Sequence, residues 1–353
     1  MIHGSRLRRF AAAVALLGPI AAPAWAADPV ADFYKDKRID LVIGSPAGGG
    51  YDLYARLVAR HMTSHIPGNP LIVPRNMPGA GTLVAGNWLY NVAARDGTVM
   101  GSVNQTVVSD QAKGSEGIQY DARKFSWIGT PLVSNRMVAV WHATGVKTVE
   151  DATKKEVIIG AAGLTSISVI FPQISNALFG TKFKIIAGYP GAAPIILAIE
   201  RGEVEGIGAS SNWSTTKPDW VRENKINILF QVGPKRDRDY PDAPLLTELA
   251  KTPEQREIAE VISGDIAMGY PILTTPGVPA ERVAALRRAF DATVKDPAFL
   301  SDAEKSRMDI DPVSGQDLQN TVDRILGVSP STISKIKELL AAKDAVQTAP
   351  RAK

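Results

Sequence analysis

The chain has 353 residues, contains no cysteine and carries a formal net charge of +4. Its 45% content of apolar residues is typical of a globular protein and excludes wholesale disorder. A chain of this length buries enough apolar surface to need no disulfides, and two domains are the default expectation. Its basic residues are not grouped with aromatic ones, so we expect no nucleic-acid partner.

The first residues indicate export. Arg6, Arg8 and Arg9 precede the apolar run from Phe10 to Ile20, and Ala24-Trp25-Ala26 supplies the small residues that signal peptidase requires. The run is shorter than the roughly 20 residues that span a bilayer. We therefore predict a cleaved signal peptide over residues 1–26 and a periplasmic protein, with a twin-arginine signal as the alternative. Removing the three arginines lowers the net charge from +4 to +1, because this segment contains no acidic residue.

The remaining chain begins with strands that alternate with helices, which is typical of a parallel sheet covered on both faces. Each apolar strand leads into a turn of small residues and then into a helix with one apolar side. The predicted elements are a strand at 38–44, a helix at 52–65, a strand at 71–73, a helix that follows residues 78–81 and ends near 90, and a strand at 98–103.

A second series of elements follows a break in this pattern. Strand-like segments at 127–129 and 137–141 flank residues 131–135, where we expect the chain to cross into a second domain. An apolar segment at 266–273 precedes a loop at 274–279 that we expect to carry the chain back. The other predicted elements are strands at 157–161, 183–187, 206–209 and 226–232, and helices at 166–178, 192–201, 254–263, 280–295 and 329–343.

These patterns predict an α/β protein of two domains, each a mostly parallel sheet flanked by helices, with a ligand cleft between them. We assign residues 27–131 and 275–353 to the first domain and residues 132–274 to the second. Because the chain crosses between the domains twice, we expect a hinge that closes on a ligand. We expect the protein to be a monomer.

The turn at residues 45–50 is the most informative local feature. It joins the first strand to the first helix, and ligands of open α/β sheets bind where strands end and helices begin. A helix start favours anions, and glycine lets the backbone approach them closely. Gly49 is followed by Gly50 and Tyr51 in place of the lysine and hydroxyl of a P-loop, and the glycine spacing is not that of a dinucleotide site. An anion site and a plain tight turn both stay open.

Two loops of the second predicted domain have a similar composition. Residues 161–166 and 189–194 each connect a strand to a helix through small residues. Together with the first turn they predict a shared cleft, although small residues also simply close such turns, and Ser166 also fits a helix cap. Asn212 and Trp213 follow a strand end, so they either face the cleft or pack in the core.

Residues for catalysis or metal binding are scarce. The chain has no cysteine nucleophile, and the histidines after residue 26 are His61, His65 and His142. His61 and His65 have the spacing of metal ligands on a helix, but no glutamate follows His61 as in a zinc protease. We predict no metal, no cofactor and no enzymatic activity.

A series of short motifs occurs in order along the chain. They are Pro46-Ala47-Gly48-Gly49-Gly50-Tyr51-Asp52, Asn76-Met77-Pro78-Gly79-Ala80-Gly81, Asp96-Gly97-Thr98, Tyr189-x-Gly191-Ala192-Ala193-Pro194 and Arg201-Gly202-Glu203-Val204. The set resembles the signatures of tripartite tricarboxylate transporter receptors, also called Bug proteins, over essentially the whole mature chain. The resemblance implies a two-domain fold like that of periplasmic binding proteins, which closes on a carboxylate. It also implies that backbone amides and bridging waters hold the carboxylate rather than an arginine clamp.

The resemblance further implies ligand contacts from both domains. Matched by position, these residues are Ala47, Gly49, Tyr51 and Asp52 in the first domain and Ser166, Tyr189, Gly191 and Ala192 in the second; Asn212 is a further candidate because of its position after a strand. Two positions depart from the family pattern. Pro190 stands where lysine is frequent and removes a backbone donor, and Ile167-Ser168 stands where histidine is common.

The sequence as a whole predicts a periplasmic receptor for a di- or tricarboxylate or an aromatic acid. Its expected partners are this small-molecule carboxylate and the integral-membrane subunits of a tripartite tricarboxylate-type transporter. A sensor subunit that presents the bound carboxylate to a signalling partner shares every sequence feature. An exported hydrolase or lyase that uses Asp52 and a cleft serine is the remaining alternative, although no base is evident beside a nucleophile.

Overall fold

The computed structural model describes Met1 and residues 28–164, 166–341 and 346–348. The predicted signal peptide lies outside these residues, apart from Met1. Among the helices of the described segments, none has the length and apolar character needed to cross a membrane.

Twelve strands occur in the described residues. They are β1 (Arg38–Ile43), β2 (Leu71–Asn76), β3 (Val99–Ser102), β4 (Ser126–Thr130), β5 (Arg136–Trp141), β6 (Glu156–Ala161), β7 (Lys182–Ala187), β8 (Gly206–Ser210), β9 (Ile226–Val232), β10 (Ile272–Thr274), β11 (Val313–Ser314) and β12 (Val346–Thr348).

The same residues contain fourteen α-helices and short 3-10 turns. The helices are α1 (Pro29–Tyr34), α2 (Gly50–Met62), α3 (Leu83–Asn91), α4 (Val107–Lys113), α5 (Val149–Lys154), α6 (Ile167–Phe179), α7 (Ala192–Glu200), α8 (Trp213–Thr216), α9 (Pro218–Arg222), α10 (Pro253–Met268), α11 (Ala280–Thr293), α12 (Pro297–Lys305), α13 (Gly315–Gly327) and α14 (Pro330–Ala341). The 3-10 turns are Thr63–His65, Ala80–Thr82, Ala122–Lys124 and His142–Thr144.

The first sheet has the strand order β11–β4–β10–β3–β1–β2. Strand β1 is parallel to β2 and β3, whereas β10 is antiparallel to both of its neighbours. Side chains alternate between the two faces of a strand, so successive residues of β1 pack in different cores. Leu41 packs with Leu57 of α2 on one face, and Val42 packs with Leu89 of α3 on the other. Helices therefore cover both faces, which explains the continuous apolar run in β1.

The second sheet has the order β12–β7–β6–β8–β5–β9 and is built in the same way. Strand β6 is parallel to β7 and β8, and β5 is antiparallel to β8 and β9. Val138 packs with Phe171 of α6 on one face, and Met137 packs with Ile196 of α7 on the other. The predicted α/β fold with two helix-covered sheets is confirmed. Both sheets are mixed but mostly parallel: four of the six described strands of the first sheet and five of the six of the second run in one direction. Strands β5 and β10 run the opposite way because they begin at the edge where the parallel strands end.

The chain passes between the sheets at two places. Strand β4 ends at Thr130 and β5 begins at Arg136, so the first crossing occupies residues 131–135. We expected the return within residues 274–279, but residues 272–274 already form β10 of the first sheet and are buried. The return therefore lies earlier, in the segment that contains α10. An apolar pattern indicates burial but does not show which sheet buries the segment.

The C-terminal elements lie against the second sheet. Helix α14 packs on α6 and α10, and Nε2 of Gln173 donates a hydrogen bond of 2.6 Å to the carbonyl of Leu339. Strand β12 extends the second sheet by pairing in parallel with β7. The domain division drawn from the sequence, which places residues 275–353 in the first domain, stays a prediction.

A buried amide pair holds the first crossing in place. Nδ2 of Asn135 donates to Oε1 of Gln231 at 2.6 Å and to the carbonyl of Lys235 at 2.7 Å. Nε2 of Gln231 in turn donates to the carbonyls of Tyr240 and Ala243 at 3.0 and 2.7 Å. Because both amides are buried, each hydrogen bond replaces one that water would otherwise supply.

We expect Gln231→Leu to lower the free energy of unfolding by about 3 kcal/mol or more, because each buried polar group that loses its partner costs about 1–3 kcal/mol. Urea denaturation measures the change. The exposed Gln119 provides the matched control, since Gln119→Leu should change stability by less than about 0.5 kcal/mol. Equal stability of the two variants would show that the buried amide pair contributes nothing specific.

Candidate functional site

The loops after β1, β2 and β3 enclose a cavity of about 270 Å³ at the carboxyl edge of the first sheet, which we call the first-sheet cavity. Its polar side chains are Ser45, Tyr51, Thr82, Ser102 and Asn104, and the described residues that line it include none with a charge. Strands β1, β2 and β3 are parallel, so their following loops meet at one edge. This cavity is suited to neutral or hydroxyl-bearing groups.

The buried carboxylate of Asp52 accepts hydrogen bonds that fix the conformation of the loop before α2. Oδ2 accepts a hydrogen bond from the amide of Gly48 at 2.9 Å, and Oδ1 accepts from Arg56 Nε and Asn76 Nδ2 at 2.8 Å each. Asn76 also donates to the carbonyl of Ser45 at 2.9 Å. Gly48 has a φ of 83°, which glycine adopts without strain. Asp52 therefore positions the loop, and its own oxygens are already engaged.

The pKa of Asp52 reflects the same contacts. Burial by itself raises the pKa of this carboxyl, but the hydrogen bonds from Gly48, Asn76 and Arg56 outweigh that effect and lower the pKa below its ordinary value of 3.8. Asp52 is therefore ionised at neutral pH, and its charge is balanced by Arg56 at 2.8 Å. This leaves Asp52 poorly suited to act as a general base.

The loop after β2 is strained and covers the same cavity. Residues 79–82 all have positive φ values, from 44° at Ala80 to 148° at Gly79. Such a conformation costs about 1–3 kcal/mol for a residue with a side chain and persists where its surroundings enforce it. Thr82 lies so close to Gly44 that a side chain on Gly44 would clash with its hydroxyl. The hydroxyls of Thr82 and Ser45 are buried without a hydrogen-bond partner among the described residues, and both residues line the first-sheet cavity.

A larger cavity of about 370 Å³, which we call the second-sheet cavity, lies at the corresponding edge of the second sheet. Ser166 and Ala192 reach it from the starts of α6 and α7, and Ile167, Ile195 and Trp213 are among its apolar walls. Neither helix has a side chain that caps its N-terminus. Their first N–H groups therefore stay open to an anion.

Arg136 also lines the second-sheet cavity. It is the first residue of β5, and its neighbours in the sheet place it at the carboxyl edge of β8, because Met137 pairs with Ser210. Its guanidinium donates a long hydrogen bond of 3.3 Å to Ser134 Oγ and takes part in no ion pair within the described segments. Burial lowers the pKa of Arg136, but arginine keeps its proton at physiological pH. A partly buried positive charge thus faces the cleft without an anionic partner.

A third cavity of about 210 Å³, the central cavity, adjoins the second-sheet cavity, with which it shares Arg136 and Ser211. It is lined by Gln105 from the first sheet and by Arg136 and Asn212 from the second. The hydroxyl of Tyr51 accepts a hydrogen bond from the Gln105 amide at 3.0 Å, and its ring centroid lies 4.9 Å from that of Tyr270. Tyr51 of the first-sheet cavity thus contacts Gln105 and Tyr270 of the central cavity, so the central cavity lies beside both others.

Polar contacts also join segments that belong to the two different sheets. Nδ2 of Asn212 donates to Asp309 at 3.1 Å, and Lys235 forms an ion pair of 2.8 Å with Asp311. Asn212 and Lys235 follow strands of the second sheet, whereas Asp309 and Asp311 precede β11 of the first. These contacts are exposed, so each contributes less than about 1 kcal/mol and can break when the sheets move.

The predicted ligand residues divide into those that line a cavity and those that do not. Tyr51 lines the first-sheet cavity, Ser166 and Ala192 line the second-sheet cavity, and Asn212 lines the central cavity. Ala47 and Gly49 are exposed in the loop before α2, and Asp52 is buried beneath that loop. Gly191 directly precedes α7, and Tyr189 packs against the apolar core that contains Trp213 and Trp220. Their roles in binding stay predictions.

Sequence reasoning missed Arg136, Ser45 and Thr82. Ser45 and Thr82 lie beside the first two motifs, where only the fold shows that their hydroxyls are unpartnered. Arg136 directly follows the crossing at residues 131–135, and that position is the one signal in the sequence that could have identified it. The resemblance implied backbone amides and bridging waters rather than an arginine clamp, and that mode of binding stays a prediction beside the presence of Arg136 in the cleft.

His61 and His65 do not point to a common ion. His61 Nε2 lies 2.9 Å from Asp302, and His65 Nε2 lies 2.9 Å from Asp296. Both contacts attach the end of α2 to α12. Among the described residues no group of three or more potential metal ligands occurs.

Comparisons with known proteins place these features in a family context. No family model matches the chain. A Cupriavidus necator protein described as UPF0065 protein in gbd 5' region is 27% identical over 80% of this chain and 82% of its own length. BugT of Bordetella pertussis is 24% identical over 67% of this chain and 73% of its own length. Their similarity confirms the resemblance to the Bug proteins that the motifs indicated.

The fold is also similar to that of a solved binding protein. A TctC solute binding protein from Polaromonas, determined without ligand, superposes with a TM-score of 0.67 over 87% of this chain and 99% of its own. Its sequence is 21% identical, so the match concerns the fold alone. That structure is of a solute binding protein.

We expect Asp52→Asn to destabilise the protein at neutral pH but not in acid. The pKa of Asp52 is lowered in the folded protein, so its stabilising contribution is complete above its ordinary pKa of 3.8 and disappears as the pH falls through the folded value. Urea denaturation at pH 7, 5 and 3 should show a difference between wild type and variant that shrinks only at pH 3. The exposed Asp32→Asn is the control, and a pH-independent difference for Asp52→Asn would contradict the assignment.

Proposed function

We propose that this chain, which resembles the Bug proteins, is an exported solute-binding receptor that holds a small carboxylate between its two sheets. The observation that carries the proposal is the guanidinium of Arg136, which lies in the cleft with no anionic partner among the residues that the structure describes. A buried cation without a partner is costly, and an anionic ligand removes that cost. The N-terminal signal peptide at residues 1–26 and a periplasmic location belong to the same proposal.

The arrangement can supply the affinity that a receptor needs. A carboxylate accepts two parallel hydrogen bonds from one arginine, and the open starts of α6 and α7 add amide donors. Hydrogen bonds to charged groups contribute about 1.5–3 kcal/mol each, and micromolar affinity corresponds to about 8 kcal/mol. Arg136 together with two or three amides therefore suffices. The predicted contacts from Ser166, Gly191 and Ala192 fit this role. The predicted contacts from Ala47, Gly49 and Tyr51 would hold the ligand from the first-sheet side of the cleft.

We propose that the receptor binds its carboxylate in order to deliver it for transport across the membrane. The BugT and TctC relatives support a receptor that delivers its carboxylate to integral-membrane subunits of a tripartite tricarboxylate-type transporter. The exposed contacts of Asn212 and Lys235 across the cleft would let the sheets separate for delivery. A monomeric receptor is sufficient, because one chain supplies both walls of the site.

We expect Arg136→Gln to weaken carboxylate binding at least thirtyfold, because truncating one side of a buried charge pair costs about 2–5 kcal/mol. Calorimetry on acids identified in a thermal-shift screen measures the loss. Arg136→Lys keeps the charge but not the two-pronged geometry and should be intermediate, whereas the exposed Arg123→Gln should bind as wild type. Ala192→Pro should also weaken binding, since it removes an amide that Ala192→Ser retains.

Two results would count against this site. Wild-type binding by both Arg136→Gln and Ala192→Pro would place the carboxylate elsewhere. Equal binding of an acid and its neutral amide would show that charge is not what the cleft recognises.

We also expect the two sheets to approach each other on binding, with residues 131–135 as one hinge. Small-angle X-ray scattering should show a smaller radius of gyration for wild type with saturating ligand. Arg136→Gln at the same ligand concentration should show a smaller decrease in radius, because less of the variant is bound. An unchanged wild-type radius, with binding confirmed by calorimetry, would argue for a rigid cleft.

A further inference from the structure

We infer that the ligand is an acid with a single carboxylate and an apolar body, held with its carboxylate on Arg136 and its body in the second-sheet cavity. This inference rests on the proposed function and narrows it, because it selects among carboxylates. The argument depends on the number of charges in the cleft, on the chemistry of the cavity walls and on the volume available.

The cleft offers one cation without an anionic partner among the described residues. A neighbouring cavity of about 380 Å³ holds Lys235, Arg236 and Arg238, but they are paired with Asp311, Glu248 and Asp239. Among the described residues that line the first-sheet and second-sheet cavities, Arg136 is the one charged side chain. The central cavity adds Asp309, which is negative. A second or third carboxylate on the ligand would therefore meet no further unpaired cation, and beside Asp309 it would meet a like charge, so its desolvation would be offset less well than that of the first.

The walls next to Arg136 are mainly apolar. Ile195 and Trp213 are buried, and Ile167 and Ala192 lie at the helix starts on either side. The ring of Trp213 is held by stacking on Trp220, with centroids 5.7 Å apart, so it forms a fixed wall. Such a surface binds the hydrocarbon part of a ligand, while the hydroxyls of Ser166, Ser168, Ser210, Ser211 and Thr216 in the same lining can meet its polar edge.

The volume fits a ring or a short branched chain. A cavity of about 150 Å³ is enough to hold benzene, and the second-sheet cavity has about 370 Å³. The remaining space accommodates the carboxylate at Arg136. The unpartnered hydroxyls of Ser45 and Thr82 lie in the separate first-sheet cavity, where neutral polar groups or water can meet them.

Calorimetry with defined acids tests this inference. Benzoate and cyclohexanecarboxylate should bind at least tenfold more tightly than acetate, succinate or citrate, and benzamide should not bind. Ile167→Ser should weaken benzoate binding by about tenfold, because the affinity of a hydrophobic pocket falls by roughly that factor for each methylene group lost. The same variant should bind acetate with unchanged affinity. Ile170→Ser removes the same side chain one turn further along α6, away from the cavity lining, and should bind benzoate as wild type.

The outcomes separate this inference from the proposed function. Binding of succinate or citrate at least as tight as that of benzoate, and lost in Arg136→Gln, would overturn the single-carboxylate inference while the receptor function stands. Binding of none of these acids would overturn both. Melting temperatures establish that each variant is folded, and Ile167→Val, with a smaller expected loss for benzoate, replaces Ile167→Ser if the latter does not fold.

Discussion

Both sheets present the carboxyl ends of their parallel strands to one another, and the site depends on that constraint. Strand β4 runs in the same direction as β3 and ends at the same edge, and residues 131–135 then lead directly into β5. Strand β5 must begin where β8 ends, so it is antiparallel to β8. One short crossing thereby brings the loops of two sheets together and places the first residue of β5, Arg136, between them.

The charge distribution of the cleft follows from this geometry. Asp52 lies close to the cleft, but Arg56 and Asn76 engage it, so its charge is used to hold a loop. Asp309 and Asp311 are occupied by contacts with Asn212 and Lys235. Arg136 alone faces the cavities without an anionic partner in the described residues, and this imbalance is what makes a carboxylate the fitting ligand.

Rigidity and mobility are separated in the same region. The network of Asp52 and the strained backbone of residues 79–82 hold the first-sheet loops in one conformation, which limits the entropy lost on binding. The contacts across the cleft are instead exposed and few. A receptor that must bind and then release its ligand needs both properties, because stiff loops give selectivity and weak bridges allow opening.

Much of the fold was accessible from the sequence because it depends on local patterns. Strand β1 and helix α2 lie within a few residues of their predicted bounds, since an apolar run and a one-sided helix pattern are properties of contiguous residues. The short strands β11 and β12 were not predicted, because strands of two or three residues carry no period. Helix α14 was predicted as a helix, but its packing on α6 was not, since an apolar face does not specify its partner.

The sequence by itself determined the class of fold, the first crossing and the small-residue turns at which helices begin. Tertiary structure decided which polar groups stay without partners. The hydroxyls of Ser45 and Thr82 and the guanidinium of Arg136 are separated by dozens of residues, and nothing in their neighbours along the chain distinguishes them from ordinary surface groups. Whether a polar group is satisfied depends on atoms brought near it by distant segments, and that information exists only once the two sheets have been assembled.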